Sequence, residues 1–146
     1  MTRYVCSGGI LALVAHGDTR FPGVEKPGVD SWVLDTGSGH HLVSAATLDP
    51  ASRGTLRKAE TPLKLCTANG VTKVTQACDC RVPILGATFE VSVLPKTPNV
   101  LSIHKLVERG AEFWWDSTGA WLRYCGTTHY LTILRGVPLL PAGMAI

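Results

Sequence analysis

No apolar stretch in these 146 residues is long enough to cross a bilayer. The longest strongly apolar run is Ile10 to Ala15, against the roughly 20 residues a spanning helix needs, so no membrane partner is expected. Met1-Thr2-Arg3 ahead of an apolar patch has the outline of a secretory leader, but Cys6 and two glycines interrupt the approach and no adequate hydrophobic segment follows, so no leader is expected either. There is no block of basic residues: net charge is only +3, and nothing in the chain can track a phosphate backbone, which argues against direct nucleic-acid binding. Charged residues are sparse, 17% against 45% hydrophobic, a balance that excludes a disordered chain and supplies one core. The five cysteines, Cys6, Cys66, Cys78, Cys80 and Cys125, are odd in number and lack a framework spacing. Free thiols in a reducing, cytoplasmic setting are therefore expected rather than a disulfide scaffold. Internal repeats and low-complexity segments are absent.

What the chain does have is punctuation. Nine prolines and fifteen glycines separate short apolar runs, the pattern of strands and turns rather than of long helices. Strands are predicted at Tyr4 to Cys6, Ile10 to Val14, Ser31 to Leu34 and Leu42 to Ser44. Residues 16–30 read as loop, and the polar stretch from Asp49 to Glu60 as surface. Leu63, Leu65 and Thr67 alternate with Lys64 and Cys66, and after Asn69-Gly70 comes Val71-Thr72-Lys73-Val74-Thr75. Two β-rich arms around Asn-Gly predict a hairpin, because both residues accept the positive φ of a tight turn. Phe89, Val91 and Val93 alternate with polar neighbours as in a half-buried strand, which Pro95 and Pro98 end. Val100, Ile103, Leu106 and Val107 fit one face of a short helix with Gly110 as its stop. Strands follow at Ala111 to Trp115, Ala120 to Tyr124 and Tyr130 to Leu134, and Pro138 and Pro141 break up the tail.

The most informative run is Trp32-Val33-Leu34-Asp35-Thr36-Gly37-Ser38. Three β-formers drive into a carboxylate, with a hydroxyl and a flexible backbone directly behind it. Asp116-Ser117-Thr118-Gly119 is the only comparable segment; its extra residue between Asp and Thr makes it an ordinary hairpin turn.

The order of apolar strand, Asp-Thr-Gly, hairpin, apolar strand, proline loop, apolar pair and short helix resembles the retropepsins, the aspartic proteases of retroviruses and retrotransposons. Within that family it is most similar to copia-type retrotransposon proteases, with Trp32 to Ser38, His40/His41 and Asn99-Val100-Leu101-Ser102 filling the family's positions. Two departures stand out: Ser102 where retroviral enzymes use Gly, and a flap tip of Ala68-Asn69-Gly70 with less glycine than usual. The resemblance spans residues 29–115. It implies a mainly β fold, a closed β-barrel half with one short C-terminal helix, active as a C2 homodimer. Residues 1–28 then form an N-terminal flank, and 116–146 a β extension or polyprotein linker.

Two carboxylates about 3 Å apart share one proton, so one can activate water while the other polarises the scissile carbonyl. A single Asp35 requires a second copy to complete that pair. The resemblance implies catalytic roles for Asp35, Thr36 and Gly37, with Thr36 bracing the partner's loop. Ser38 is expected to bond the outer oxygen of Asp35. Thr67, Ala68, Asn69, Gly70 and Val71 are expected to close over substrate, and Val100 and Leu101 to line subsites. The implied substrate is the chain's own retrotransposon polyprotein, with no cofactor. The reading from another class is a catalytically silent dimerisation or peptide-binding module on the same fold. A third is a small β domain with structural zinc: Cys78-Asp79-Cys80 and His40-His41 are adequate ligands, but their spacing matches no zinc pattern and no metal is expected.

Overall fold

The computed structural model of the protein describes residues 31–67 and 70–141. Ten strands dominate: β1 (Trp32–Asp35), β2 (Leu42–Ser44), β3 (Arg57–Thr67), β4 (Gly70–Val82), β5 (Ala87–Leu94), β6 (Val100–Ser102), β7 (Glu112–Asp116), β8 (Gly119–Tyr124), β9 (Thr127–Leu134) and β10 (Val137–Leu140). The two α-helices are short, α1 (Pro50–Arg53) and α2 (Ile103–Glu108). The mainly β class expected from the turn-rich sequence holds. The strands expected at Tyr4 to Cys6 and Ile10 to Val14 lie outside the described residues.

The strands join in one sheet of order β3-β4-β5-β2-β6-β1-β10-β9-β8-β7. The expected closed barrel is not formed by this ladder: among the described residues β3 and β7 are edges with one neighbour each. Closure would need β3 to accept a second partner, and the strand is irregular. Its register with β4 shifts between Lys58 and Leu63, where Pro62 has no N–H to offer a neighbour.

β1 occupies the middle of the sheet because it is apolar on both faces. Trp32 and Leu34 enter one core with Phe89, Leu101, Leu106, Leu122 and Leu140. Val33 enters a second with Leu42, Leu94, Val100 and Leu139. A strand covered on both faces reads as a continuous hydrophobic run rather than an alternation, which is why Trp32-Val33-Leu34 carries no polar residue. On one side β1 pairs in parallel with β6; on the other it pairs antiparallel with β10.

Three local expectations change. The tail is not broken up: Val137–Leu140 is a strand despite Pro138. Its pairing with β1 covers Trp32↔Leu140 and Val33↔Leu139 and goes no further, so the missing donor falls where that ladder stops. The predicted helical face is shorter than expected, since Val100 belongs to β6 and Val107 is 43% exposed, leaving Ile103 and Leu106 to anchor α2. A second helix, α1, arises in the stretch expected as plain surface: Asp49 caps it by accepting from the Ser52 N–H at 2.6 Å, and Pro50 starts it, both favoured at a helix N-terminus. Among the described residues no helix is long and apolar enough to cross a membrane.

Candidate active site

Asp35 ends β1 directly opposite Ser102 of β6, after the pairs Val33↔Val100 and Leu34↔Leu101. Two buried parallel strands thus deliver the carboxylate and the serine to the same end of the sheet. Asp35 is half-buried, and the Gly37 N–H donates to its Oδ1 at 2.7 Å. Burial pushes the carboxyl above its ordinary value, and the Gly37 N–H opposes this only in part. A carboxyl shifted by desolvation holds a proton more readily, the property a shared-proton pair requires.

The loop behind Asp35 is clamped from two sides by Ser102. The Ser102 Oγ donates to the Ser38 carbonyl at 2.7 Å, and the Ser102 N–H donates to His41 Nδ1 at 2.9 Å. The same Oγ accepts from the Lys105 N–H at 3.2 Å, capping α2. His41 is buried, packs edge-on against Phe89 at 5.2 Å between centroids, and has its pKa lowered to about 4, first by burial and then by Lys105, Arg109 and His40. A neutral ring is what leaves Nδ1 free to accept from Ser102. Arg109 also stacks over Phe89, 4.7 Å from the ring centroid.

Several sequence expectations meet the geometry differently. Ser38 does not bond Asp35: it is buried, and its Oγ donates to the His40 carbonyl at 2.6 Å, closing the turn on itself. Val100 and Leu101 do not line an open subsite. Both are fully buried, one in each core, because the β1–β6 pair is covered on both faces. Thr36 and Gly37 occupy the turn immediately after Asp35, half-buried.

The two β-rich arms pair as a hairpin, but the turn expected at Asn69-Gly70 does not include Gly70. Thr67 pairs with Gly70 and Cys66 with Val71, which places Gly70 in β4 rather than in the turn; Ala68 and Asn69 lie outside the described residues. Val71 is 64% exposed near the tip. Asp116 sits in an exposed hairpin turn, with Oδ1 accepting from both the N–H and the hydroxyl of Thr118, far from the chemistry of a second catalytic triplet.

Cys78 and Cys80 are buried side by side with their Sγ atoms 3.9 Å apart, and Cys125 is exposed; all three are free. The neighbouring thiol and burial push the Cys78 thiol up, while hydrogen bonds from Cys78 and Ser52 pull Cys80 down. Among the described residues no three His, Cys, Asp or Glu side chains gather where a metal ion would sit.

Next to the clamped loop lies a cavity of about 440 Å³, walled by His40 and His41, the irregular stretch of β3, and Lys105 of α2. Sequence reasoning did not find this cavity, nor the double role of Ser102. The signal for the latter was present: a serine directly before an apolar helical run is a capping residue.

No family model matches the chain, and no curated protein matches it significantly.

Proposed function

We propose that the chain is one half of an aspartic endopeptidase of retropepsin type, completed by a second copy that brings its own Asp35 across a twofold axis. The observation that carries this reading is the half-buried Asp35 carboxyl, raised by desolvation at the end of a strand covered on both faces. A solvated turn aspartate is not held this way; an acid–base carboxyl is. In the pair, one carboxylate takes a proton from water and the other donates to the scissile carbonyl. Gly37 fixes one oxygen of each. Thr36 reaches the partner's loop. The β3–β4 hairpin closes over an extended peptide and excludes water, with Thr67 and Val71 near its tip. Substrate is the chain's own retrotransposon polyprotein, processed in the cytoplasm without a cofactor.

Co-expression with flanking polyprotein, followed by mass mapping of the cut ends, tests the reading. Cleavage occurs with Asp35 and is lost in Asp35→Asn. Specific activity falls on dilution below the dimer dissociation constant. A folded dimer that binds peptide and never cuts it, at any pH from mildly acid to neutral, overturns the enzymatic reading in favour of a silent peptide-binding module.

A further inference from the structure

The cavity beside the Asp35 loop has a charge distribution that the catalytic reading leaves unused. Its β3 wall exists because five steps of β3, from Lys58 to Leu63, are matched by only two steps of β4, from Val74 to Gln76. The surplus chain bulges outward at an edge strand, where a bulge disturbs one ladder only, and opens space against His40 and Lys105.

Of the charged groups lining this space, Arg57 is already committed: it binds Glu90 at 2.6 Å and Asp79 at 3.0 Å. Lys58 and Lys105 make no ion pair among the described residues. Counted over the lining alone, the cations Arg57, Lys58 and Lys105 face two anions, Glu90 and Glu60, and Glu60 is exposed on the bulge. Lys105 is half-buried, so water screens it less than a surface lysine. Its field is felt by both histidines that follow the Asp35 loop.

Lys105 is also close to the reacting group in the fold. Its backbone N–H binds Ser102, the residue paired with Asp35.

Resting on the endopeptidase reading, we infer that the cavity between His40, Lys58 and Lys105 is a specificity pocket for an acidic side chain of the substrate, so that the enzyme selects peptides with Asp or Glu at one position flanking the cut. The carboxylate is met by the Lys105 ammonium, with Lys58 and a neutral His40 as further donors. An amide of the same shape keeps the hydrogen bonds and loses the charge.

A peptide library digested by the full chain, with Asp35→Asn as the blank, reads the preference, and matched Glu and Gln peptides measure it. The wild type cuts the Glu peptide with a kcat/KM roughly fivefold above the Gln peptide, the scale of one partly screened ion pair. In Lys105→Gln that ratio falls to about one, and in Lys105→Glu it inverts in favour of a Lys peptide. Asp35-dependent cleavage with no acidic preference, or with a preference unchanged in both Lys105 variants, overturns the inference and leaves the protease standing. An oligonucleotide that blocks cleavage through Lys105 while Glu and Gln peptides are cut alike also overturns it, assigning the cations to a polyanion. Absence of any Asp35-dependent cleavage overturns the protease and the pocket together.

Discussion

Replacing His41 by glutamine isolates the energetic cost of keeping a neutral imidazole behind the Asp35 loop. Burial, Lys105, Arg109 and His40 hold the ring at about 4 against an ordinary 6.5. The groups acting on it are all basic, and no anion among them offsets the shift. A depressed histidine contributes stability that is present above its unfolded value and lost as pH falls, because the unfolded chain binds the proton first. The window therefore opens near pH 6.5 and closes near pH 4. At about 1.36 kcal/mol per unit the wild type loses roughly 3 kcal/mol across it from this group alone.

The His41→Gln side chain offers an amide oxygen to the Ser102 N–H but does not titrate. It forfeits the edge-on packing against Phe89, so at pH 7 the variant is less stable by about 1–2 kcal/mol. The two stability curves then converge and cross on acidification. His40, His129 and Asp35 also titrate with shifted values, but they are common to both proteins and cancel in the difference. Urea unfolding followed by tryptophan fluorescence, at one protein concentration from about pH 7.5 to 4, gives that difference directly. Parallel curves for wild type and His41→Gln refute the claim that His41 is held neutral by its surroundings.

Two further outcomes follow from the same loop. Ser102→Ala removes the helix cap of α2 and leaves the Ser38 carbonyl without its donor; loss of about 2–3 kcal/mol is expected from those two effects together, read as an earlier urea midpoint, and a change under the ~0.5 kcal/mol scale of a neutral surface substitution would refute the clamp. Asp35→Asn keeps an oxygen for the Gly37 N–H and removes a buried charge. Because the carboxyl is raised in the folded chain, its stability contribution is present below the ordinary carboxylate value and lost as pH rises. The variant is therefore more stable than wild type at neutral pH, and the gap narrows as the solution is acidified toward the ordinary carboxylate range in the same unfolding assay; a variant less stable at neutral pH contradicts the desolvated placement of Asp35.

Much of the fold was legible because single strands carried unambiguous local chemistry. Trp32-Val33-Leu34 announced an apolar strand, which the structure covers on both faces, Phe89-Val91-Val93 a half-buried strand, and the β-rich arms on either side of Asn69-Gly70 a hairpin. The misreadings came from residues whose role depends on a neighbour remote in sequence. Pro138 looks like a breaker until β1 is seen to stop pairing at the residue before it would be needed. Val107 fits the apolar periodicity of a helix whose buried face is only Ile103 and Leu106 wide. Ser38 could have bonded Asp35, but its hydroxyl instead donates to the His40 carbonyl two residues on. Val100 and Leu101 were read as subsite walls because the chain order places them beside Asp35; that they are covered from both sides is decided by β2, β10 and the two cores. The cationic cavity is the extreme case, built from residues 40, 58 and 105, which only the sheet brings together.

The same burial acts on Asp35 and His41 in opposite directions, and in both cases it favours the neutral form. For the carboxyl this means a proton is easily kept, which the proposed pair of Asp35 carboxyls would have to do once. For the imidazole it means that Nδ1 stays an acceptor, which the Ser102 N–H needs if the loop is to hold the carboxyl in place. In the proposed dimer, both conditions would be met together only above the protonation of His41, at about 4, and below the pH at which the second Asp35 carboxyl ionises. The clamp and the carboxyl thus depend on one partly desolvated loop, which lies at the end of the buried strands β1, β2 and β6.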